Sequence, residues 1–247
     1  MRAVPPSSAI PASNEFPSIV GYAQKDTASS GFAMLSAQFE AVGANDGSAT
    51  LADLTIGGYE PYDPVEDEGG TTADFSVQFL TASGTTEAQY WWYDDDEKTG
   101  WYDASGNLCN DVALSAAKGF WTSGHGLTMT SAGQVNENDI VITTASAGFR
   151  AIANTTPVNL KLSQLAITGY EPYDPVEDEG GTTADFSVQF LTASGTTASQ
   201  YWWYDDDEKT GWYDASGTLS NDVVIPAGTG VWVSGHGLSI RIPAPEL

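Results

Sequence analysis

The chain has 247 residues, 33 acidic against 8 basic side chains, and a formal net charge of −25. Phosphate backbones are recognised by clustered Lys and Arg, which this chain lacks, so nucleic acid is excluded as a partner, and an anionic membrane surface would repel it. Hydrophobic residues make up 41% of the sequence, enough for a packed core, and no apolar run reaches the ~18 residues that a membrane span needs.

The first residues, 1–17, carry Pro5, Pro6, Pro11 and Pro17 and have no apolar centre like that of a secretory signal, so they read as a Pro-rich extended leader. Strand candidates follow at Ile19–Ala23 and Gly31–Val42. After a Gly/Asn/Asp turn at Gly43–Gly47, Ala49–Ile56 is a third. Tyr59–Gly70, with two prolines, five acids and a Gly-Gly pair, reads as a loop. Asp74–Phe79 alternates, with Phe75, Val77 and Phe79 on one face and Asp74, Ser76 and Gln78 on the other, which predicts a half-buried strand. Tyr90-Trp91-Trp92-Tyr93, the acidic run Asp94–Glu97 and Trp101-Tyr102 predict a hairpin with aromatic arms and an acidic tip. Gly119–Thr122 and Leu127–Thr130, flanking Ser123-Gly124-His125-Gly126, predict a further hairpin. No segment holds a helical period for long, and short strands between Gly-rich turns indicate a sandwich or barrel.

The sequence then repeats itself. Gly58–Thr86 recurs unchanged as Gly169–Thr197, an offset of 111 residues, and Gln89–Gly106 recurs as Gln200–Gly217. A fixed-period repeat sets the architecture. The expectation is an all-β chain of two tandem β-sandwich-like repeat domains, residues 18–134 and 135–247, after the leader. The repeat is also an internal test, because a residue kept in only one copy is a poor candidate for shared chemistry. Cys109, the single cysteine, has Ser220 as its counterpart in the other copy and so reads as filler.

Ile19-Val20-Gly21-Tyr22, the Gly31-Phe32 pair, Phe120-Trp121 before a Gly-rich turn, Ala132-Gly133-Gln134-Val135, and Ala153-Asn154 followed by Pro157 resemble an uncharacterised family of secreted bacterial two-repeat proteins. The resemblance covers most of the chain from Ser18 onward. It implies an extracellular location and a β-rich repeat. It implies no activity and no catalytic residues.

Three features bear on function. Asp94, Asp95, Asp96, Glu97 and Asp103, with Asp205, Asp206, Asp207, Glu208 and Asp214 in the second copy, offer hard oxygen ligands on a loop, as Ca²⁺ prefers. The spacing is not that of an EF-hand. The other reading is a solvated acidic turn. Glu60, Asp63, Glu66, Asp67 and Glu68 form a second acidic cluster that could add ligands. The aromatic set is Tyr90, Trp91, Trp92, Tyr93 and Trp101, with Tyr201, Trp202, Trp203, Tyr204 and Trp212. In a strand Trp91 and Tyr93 face one way and Tyr90 and Trp92 the other. One pair is therefore partly exposed, paired across the hairpin or buried at an interface; exposed rings could stack on a sugar or a sister subunit, while most of the aromatics fill the sandwich and its hairpin. His125 and His236, each within Ser-Gly-His-Gly, read as turn residues, since no nucleophile elbow accompanies them. Paired carboxylates of a glycosidase find no obvious cleft in a unit this small.

The expectation is a non-enzymatic, secreted structural protein that self-assembles into an extracellular filament or cell-surface layer. Its partners would be copies of itself, with Ca²⁺ as the only candidate cofactor. The alternative is a bivalent carbohydrate-binding or adhesive module with one site per copy, gaining by avidity.

Overall fold

The structure is a computed structural model that describes residues 20–27, 31–40, 49–59, 75–95, 98–115, 118–123, 126–144, 148–170, 186–206, 208–234 and 237–246. The leader, the loop at 60–74 with its acidic cluster, and His125 and His236 lie outside the described residues.

The fold is nearly all β. In the first copy the strands are β1 (Val20–Asp26), β2 (Phe32–Leu35), β3 (Ala49–Thr50), β4 (Leu54–Gly57), β5 (Phe75–Leu80), β6 (Thr86–Asp94), β7 (Thr99–Tyr102), β8 (Ala113–Leu114), β9 (Phe120–Ser123) and β10 (Thr128–Gln134). In the second they are β11 (Ile140–Thr143), β12 (Phe149–Ala153), β13 (Leu160–Lys161), β14 (Ala166–Thr168), β15 (Phe186–Leu191), β16 (Thr197–Asp205), β17 (Thr210–Tyr213), β18 (Val224–Ile225), β19 (Gly230–Ser234) and β20 (Ser239–Ile242). The first copy forms a five-stranded sheet β2-β9-β5-β6-β7, a three-stranded sheet β1-β10-β4 and the pair β3-β8. The second forms β12-β19-β15-β16-β17, β11-β20-β14 and β13-β18, the same order strand for strand. The ladders are antiparallel.

Alternation fixes which side of each sheet is wet. In β5, Phe75, Val77 and Phe79 point into a core completed by Trp101 and Phe120 from the same sheet, Leu54 and Met129 from the three-stranded sheet, and Leu51 and Leu127 between them. The equivalent core of the second copy holds Phe186, Val188, Trp212, Ile240 and Leu238. Each is the filling of a sandwich-like pair of sheets. Trp101 and Trp212 have no exposed surface. Their indole N–H groups donate to the carbonyls of Leu51 (2.9 Å) and Leu162 (3.0 Å), so burial costs no orphaned donor.

Three local expectations are corrected. The strand expected over 31–42 stops at Leu35. The strand expected over 49–56 is broken by a 3-10 turn at Leu51–Asp53, because Asp53 Oδ2 accepts from both the N–H (2.7 Å) and the hydroxyl (2.8 Å) of Thr50. The hairpin expected over 119–130 does not form: β9 pairs with β2 and β5, β10 with β1 and β4. A hairpin would set Phe120 and Met129 side by side on one wall of the core. The chain instead crosses between sheets, so the two side chains enter the core from opposite walls, with fully buried Leu127 at the corner.

Candidate functional site: a cleft shared by the two copies

The acidic hairpin tip is a braced turn. Trp92 Nε1 donates to Tyr59 Oη (3.2 Å), which donates to Asp94 Oδ2 (2.7 Å). Trp203, Tyr170 and Asp205 repeat the relay at 3.2 and 2.8 Å. Asp95 accepts from the Lys98 N–H (2.7 Å), and Asp206 from the N–H groups of Lys209 (2.7 Å) and Glu208 (2.8 Å). Asp103 closes the next turn by accepting from the N–H groups of Ser105 (2.9 Å) and Asn107 (2.8 Å), as Asp214 does from Ser216 and Thr218. The Asn107 side-chain amide, helped by these main-chain donors, holds the Asp103 carboxyl below the usual carboxylate range. Among the described residues, no group of three or more His, Cys, Asp or Glu is placed to hold a metal ion. Asp96, Glu97 and Asp207 lie outside the described residues.

The aromatic arms divide as strand geometry requires. Tyr90 and Trp92, with Tyr201 and Trp203, pack against the cores. Trp92 stacks on Phe75 (6.2 Å between centroids) and meets Trp101 edge-on (5.4 Å). Trp101 and Trp212, wholly buried, present no surface to a ligand or a subunit. Trp91 and Tyr93 take the opposite face, where Trp91 lies across from Tyr102, and Tyr93 meets Tyr102 edge-on at 5.5 Å. Lys98 Nζ sits over both tyrosine rings, 5.0 Å from the centroid of Tyr93 and 5.6 Å from that of Tyr102. Trp202, Tyr204, Tyr213 and Lys209 repeat the arrangement.

The copies meet along the edge strands β2 and β12 of the two five-stranded sheets. The Phe32 N–H donates to the Ala193 carbonyl (2.7 Å), and reciprocally the Phe149 N–H donates to the Ala82 carbonyl (2.8 Å). Leu35 bridges Thr229 and Ile152 bridges Lys118, again reciprocal positions. Gly31 and Gly148 are held at φ of +85° and +88°, and a Cβ on either would fall 2.5 or 2.7 Å from the Ala193 or Ala82 oxygen. Glycine alone permits this approach. Met34, Trp121 and Trp232 form a small buried cluster against Leu80, Ala151 and Leu191.

Above this cluster opens a cleft of about 420 Å³. Its lining consists of seven equivalent pairs: Phe32 and Phe149, Gln78 and Gln189, Leu80 and Leu191, Ser83 and Ser194, Gly84 and Gly195, Thr86 and Thr197, Trp121 and Trp232. The members of each pair are the same residue type, so the cleft has pseudo-twofold symmetry. Phe32 stands edge-on to Trp121 and Phe149 to Trp232, each at 5.8 Å. Both tryptophans are 8% exposed, whereas Phe32 and Phe149 are 39% and 37% exposed. Each β-turn tip rests on the other copy's indole: a Cβ on Gly84 would lie 3.6 Å from Trp232, and one on Gly195 3.7 Å from Trp121. Thr86 donates to Gln78 (3.4 Å) and Thr197 to Gln189 (3.1 Å). Trp121 Nε1 is buried without a hydrogen-bond partner among the described residues.

No lining residue is charged, although the chain carries 33 acids. Charge is found beside it, in an adjoining recess of about 510 Å³ that shares Leu80 and Phe149 with the cleft and includes Glu87, Lys118 and Arg150. There the copies differ, since Ala198, Thr229 and Ala33 hold the equivalent positions. The divergence therefore falls outside the cleft. Trp121 and Trp232 are identical although Phe120 and Thr122 on either side have become Val231 and Val233.

The hairpin aromatics lie on two faces as their alternation predicts, while Phe32, Trp121, Phe149 and Trp232 form a site outside the expected set. The signal was present. The alternation that splits Trp91 from Trp92 also sends Trp121 to the face opposite Phe120. What the sequence could not provide was the contact that brings the two outer faces together. Comparison with protein-family models, with curated proteins and with solved structures gave no match.

Proposed function

We propose that this chain is a non-catalytic extracellular protein that binds a neutral glycan in the shared cleft. One observation carries the reading: a lining of aromatic rings, carboxamides and hydroxyls with no charge, on a surface otherwise crowded with carboxylates. Aromatic faces cover the apolar side of a sugar ring, and Gln, Ser and Thr exchange hydrogen bonds with its hydroxyls. An ionic ligand would find no counter-charge here. The cleft also lacks acid–base equipment, because Ser83 and Ser194 have no histidine or carboxylate among the lining residues. The extracellular location rests on the family resemblance. The copies thus form one composite site in place of two sites acting by avidity.

The test is a panel of neutral and anionic oligosaccharides followed by tryptophan fluorescence and calorimetry. A neutral member should bind saturably at one per chain, and Phe32→Ala with Phe149→Ala should weaken it at least about tenfold, the effect of ~1.4 kcal/mol. A panel in which no neutral sugar perturbs the indoles would overturn the reading.

A second reading is a self-assembling subunit of a filament or surface layer, favoured by a different observation. The outer-face set Trp91, Tyr93 and Tyr102 recurs in the second copy, and the outer strands β1 and β11 expose Tyr22 (68%) and Val141 (63%). Open edges invite main-chain pairing. With a net charge of −25, association should strengthen with salt or Ca²⁺. Sedimentation that shows a monomer at high concentration in both conditions would remove this reading.

A further inference from the structure

The geometry points to the interior of a linear, neutral polysaccharide as the ligand, engaged along the chain and not at its end. This rests on the glycan reading above and adds the form of the glycan. Two observations carry it.

The first is symmetry. Whatever shape one mouth of the cleft has, the opposite mouth shares, because identical residues line both. Recognition of a chain terminus needs one closed end bearing groups that the other end lacks. A pseudo-twofold cleft has no such difference. A linear sugar chain laid across it meets the same set of contacts in either direction.

The second is continuity. On the outer face of the five-stranded sheet, Trp121 lies across from Gln78, and Gln78 from Gln89. Gln89 Nε2 donates to Ser76 Oγ (3.0 Å), Ser76 lies across from Trp91, and Trp91 from Tyr102. Adjacent strands are ~4.8 Å apart, so Trp121, the polar positions Gln78, Gln89 and Ser76, and then Trp91 and Tyr102 make a track from β9 to β7, polar between its aromatic ends, that leads away from the cleft. The second copy continues it on the other side through Gln189, Gln200, Trp202 and Tyr213, with Gln200 donating to Ser187 at 3.0 Å. A short sugar would fill the cleft alone, and a longer one would reach the indoles of both tracks.

The test is a length series, dimer to octamer, of whichever neutral glycan binds in the panel, each member offered with a free and with a reduced terminal unit. Affinity should rise by at least about tenfold between the shortest binder and the longest, and reducing the terminus should leave it unchanged. Trp91→Ala with Trp202→Ala should remove the gain with length while leaving the shortest binder untouched. Trp91→Phe with Trp202→Phe should retain the gain, which separates loss of a stacking ring from damage to the sheet. If affinity is already complete at the shortest binder, or if reduction of the terminus costs about tenfold, the interior-chain inference is wrong and the glycan reading stands. If no member binds at any length, both are overturned.

Discussion

Cys109 shows how the repeat acts at a single residue. Its thiol donates to the Asn107 carbonyl at 3.3 Å, and the Ser220 hydroxyl donates to the Thr218 carbonyl at 3.0 Å. Partial burial, reinforced by the Asp103 carboxylate, pushes the thiol's pKa upward. Cys109→Ser should therefore shift the melting temperature by less than about 5 °C, and alkylation of the native thiol at neutral pH should be slower than that of a free cysteine, since the thiolate is the reactive form. A second residue-scale case is Asp139. The Ala244 N–H and the Arg241 guanidinium hold its carboxyl below the ordinary range. Arg241 Nε donates to Asp139 Oδ2 (2.6 Å), and the Ala244 N–H to Oδ1 (2.9 Å). A lowered folded-state pKa gives stability that is present above the unfolded value of ~3.9 and is lost as pH falls through the folded one. Wild type should thus weaken from about pH 4 downward, and thermal melts of Asp139→Asn should be flatter over that range.

At the scale of elements, the hairpin β6–β7 depends on the relay from Trp92 through Tyr59 to Asp94. Tyr59→Phe leaves the indole N–H and the carboxylate without this shared hydroxyl, a loss of about 1–3 kcal/mol, and Tyr170→Phe should cost a similar amount in the second copy. Paired chemical-denaturation curves would check both. How much of this was legible follows from period. Phe75, Val77 and Phe79 announced their strand and its buried side because alternation is local. The aromatic hairpin was equally plain, since its arms flank a turn of acids and glycine. The relay was not, because Tyr59 lies 33 residues from Trp92 and pairing over such a distance leaves no local trace. The path from β9 to β10 was misread for a related reason. A Gly-rich turn looks the same whether it folds a strand back or passes the chain to another sheet, and only the need to fill both walls of the core decides.

For the whole molecule, each copy has its own large core, while Met34, Trp121 and Trp232 belong to both. The segment Val135–Leu247 should therefore fold cooperatively on its own, at a lower melting temperature than the full chain, and should fail to bind any glycan the full chain binds. Circular dichroism showing a disordered segment would instead mean that the second core needs the first. Substituting Gly31 by alanine in the full chain should act in the same direction, because the added methyl meets the Ala193 oxygen at 2.5 Å. Analytical sedimentation and melting would separate local strain from loss of the joint.

The same joint governs what happens after cleavage. Each five-stranded sheet ends on one side at β7 or β17. There Cys109 or Ser220 donates its N–H to the carbonyl of Trp101 or Trp212 (2.7 Å in each). On the other side the sheet ends at β2 or β12, whose outward groups are occupied by the sister copy. A protease that cuts the connector near Asn136–Asn138 and lets the halves drift apart would bare two unsatisfied strand edges at once, each beside a newly wetted tryptophan. Such fragments are templates for one another. Limited digestion should therefore yield halves that re-pair through this one edge into closed dimers, like with like as well as first with second, which mass spectrometry of the size-exclusion dimer peak would distinguish, from a protein whose intact form keeps those edges closed.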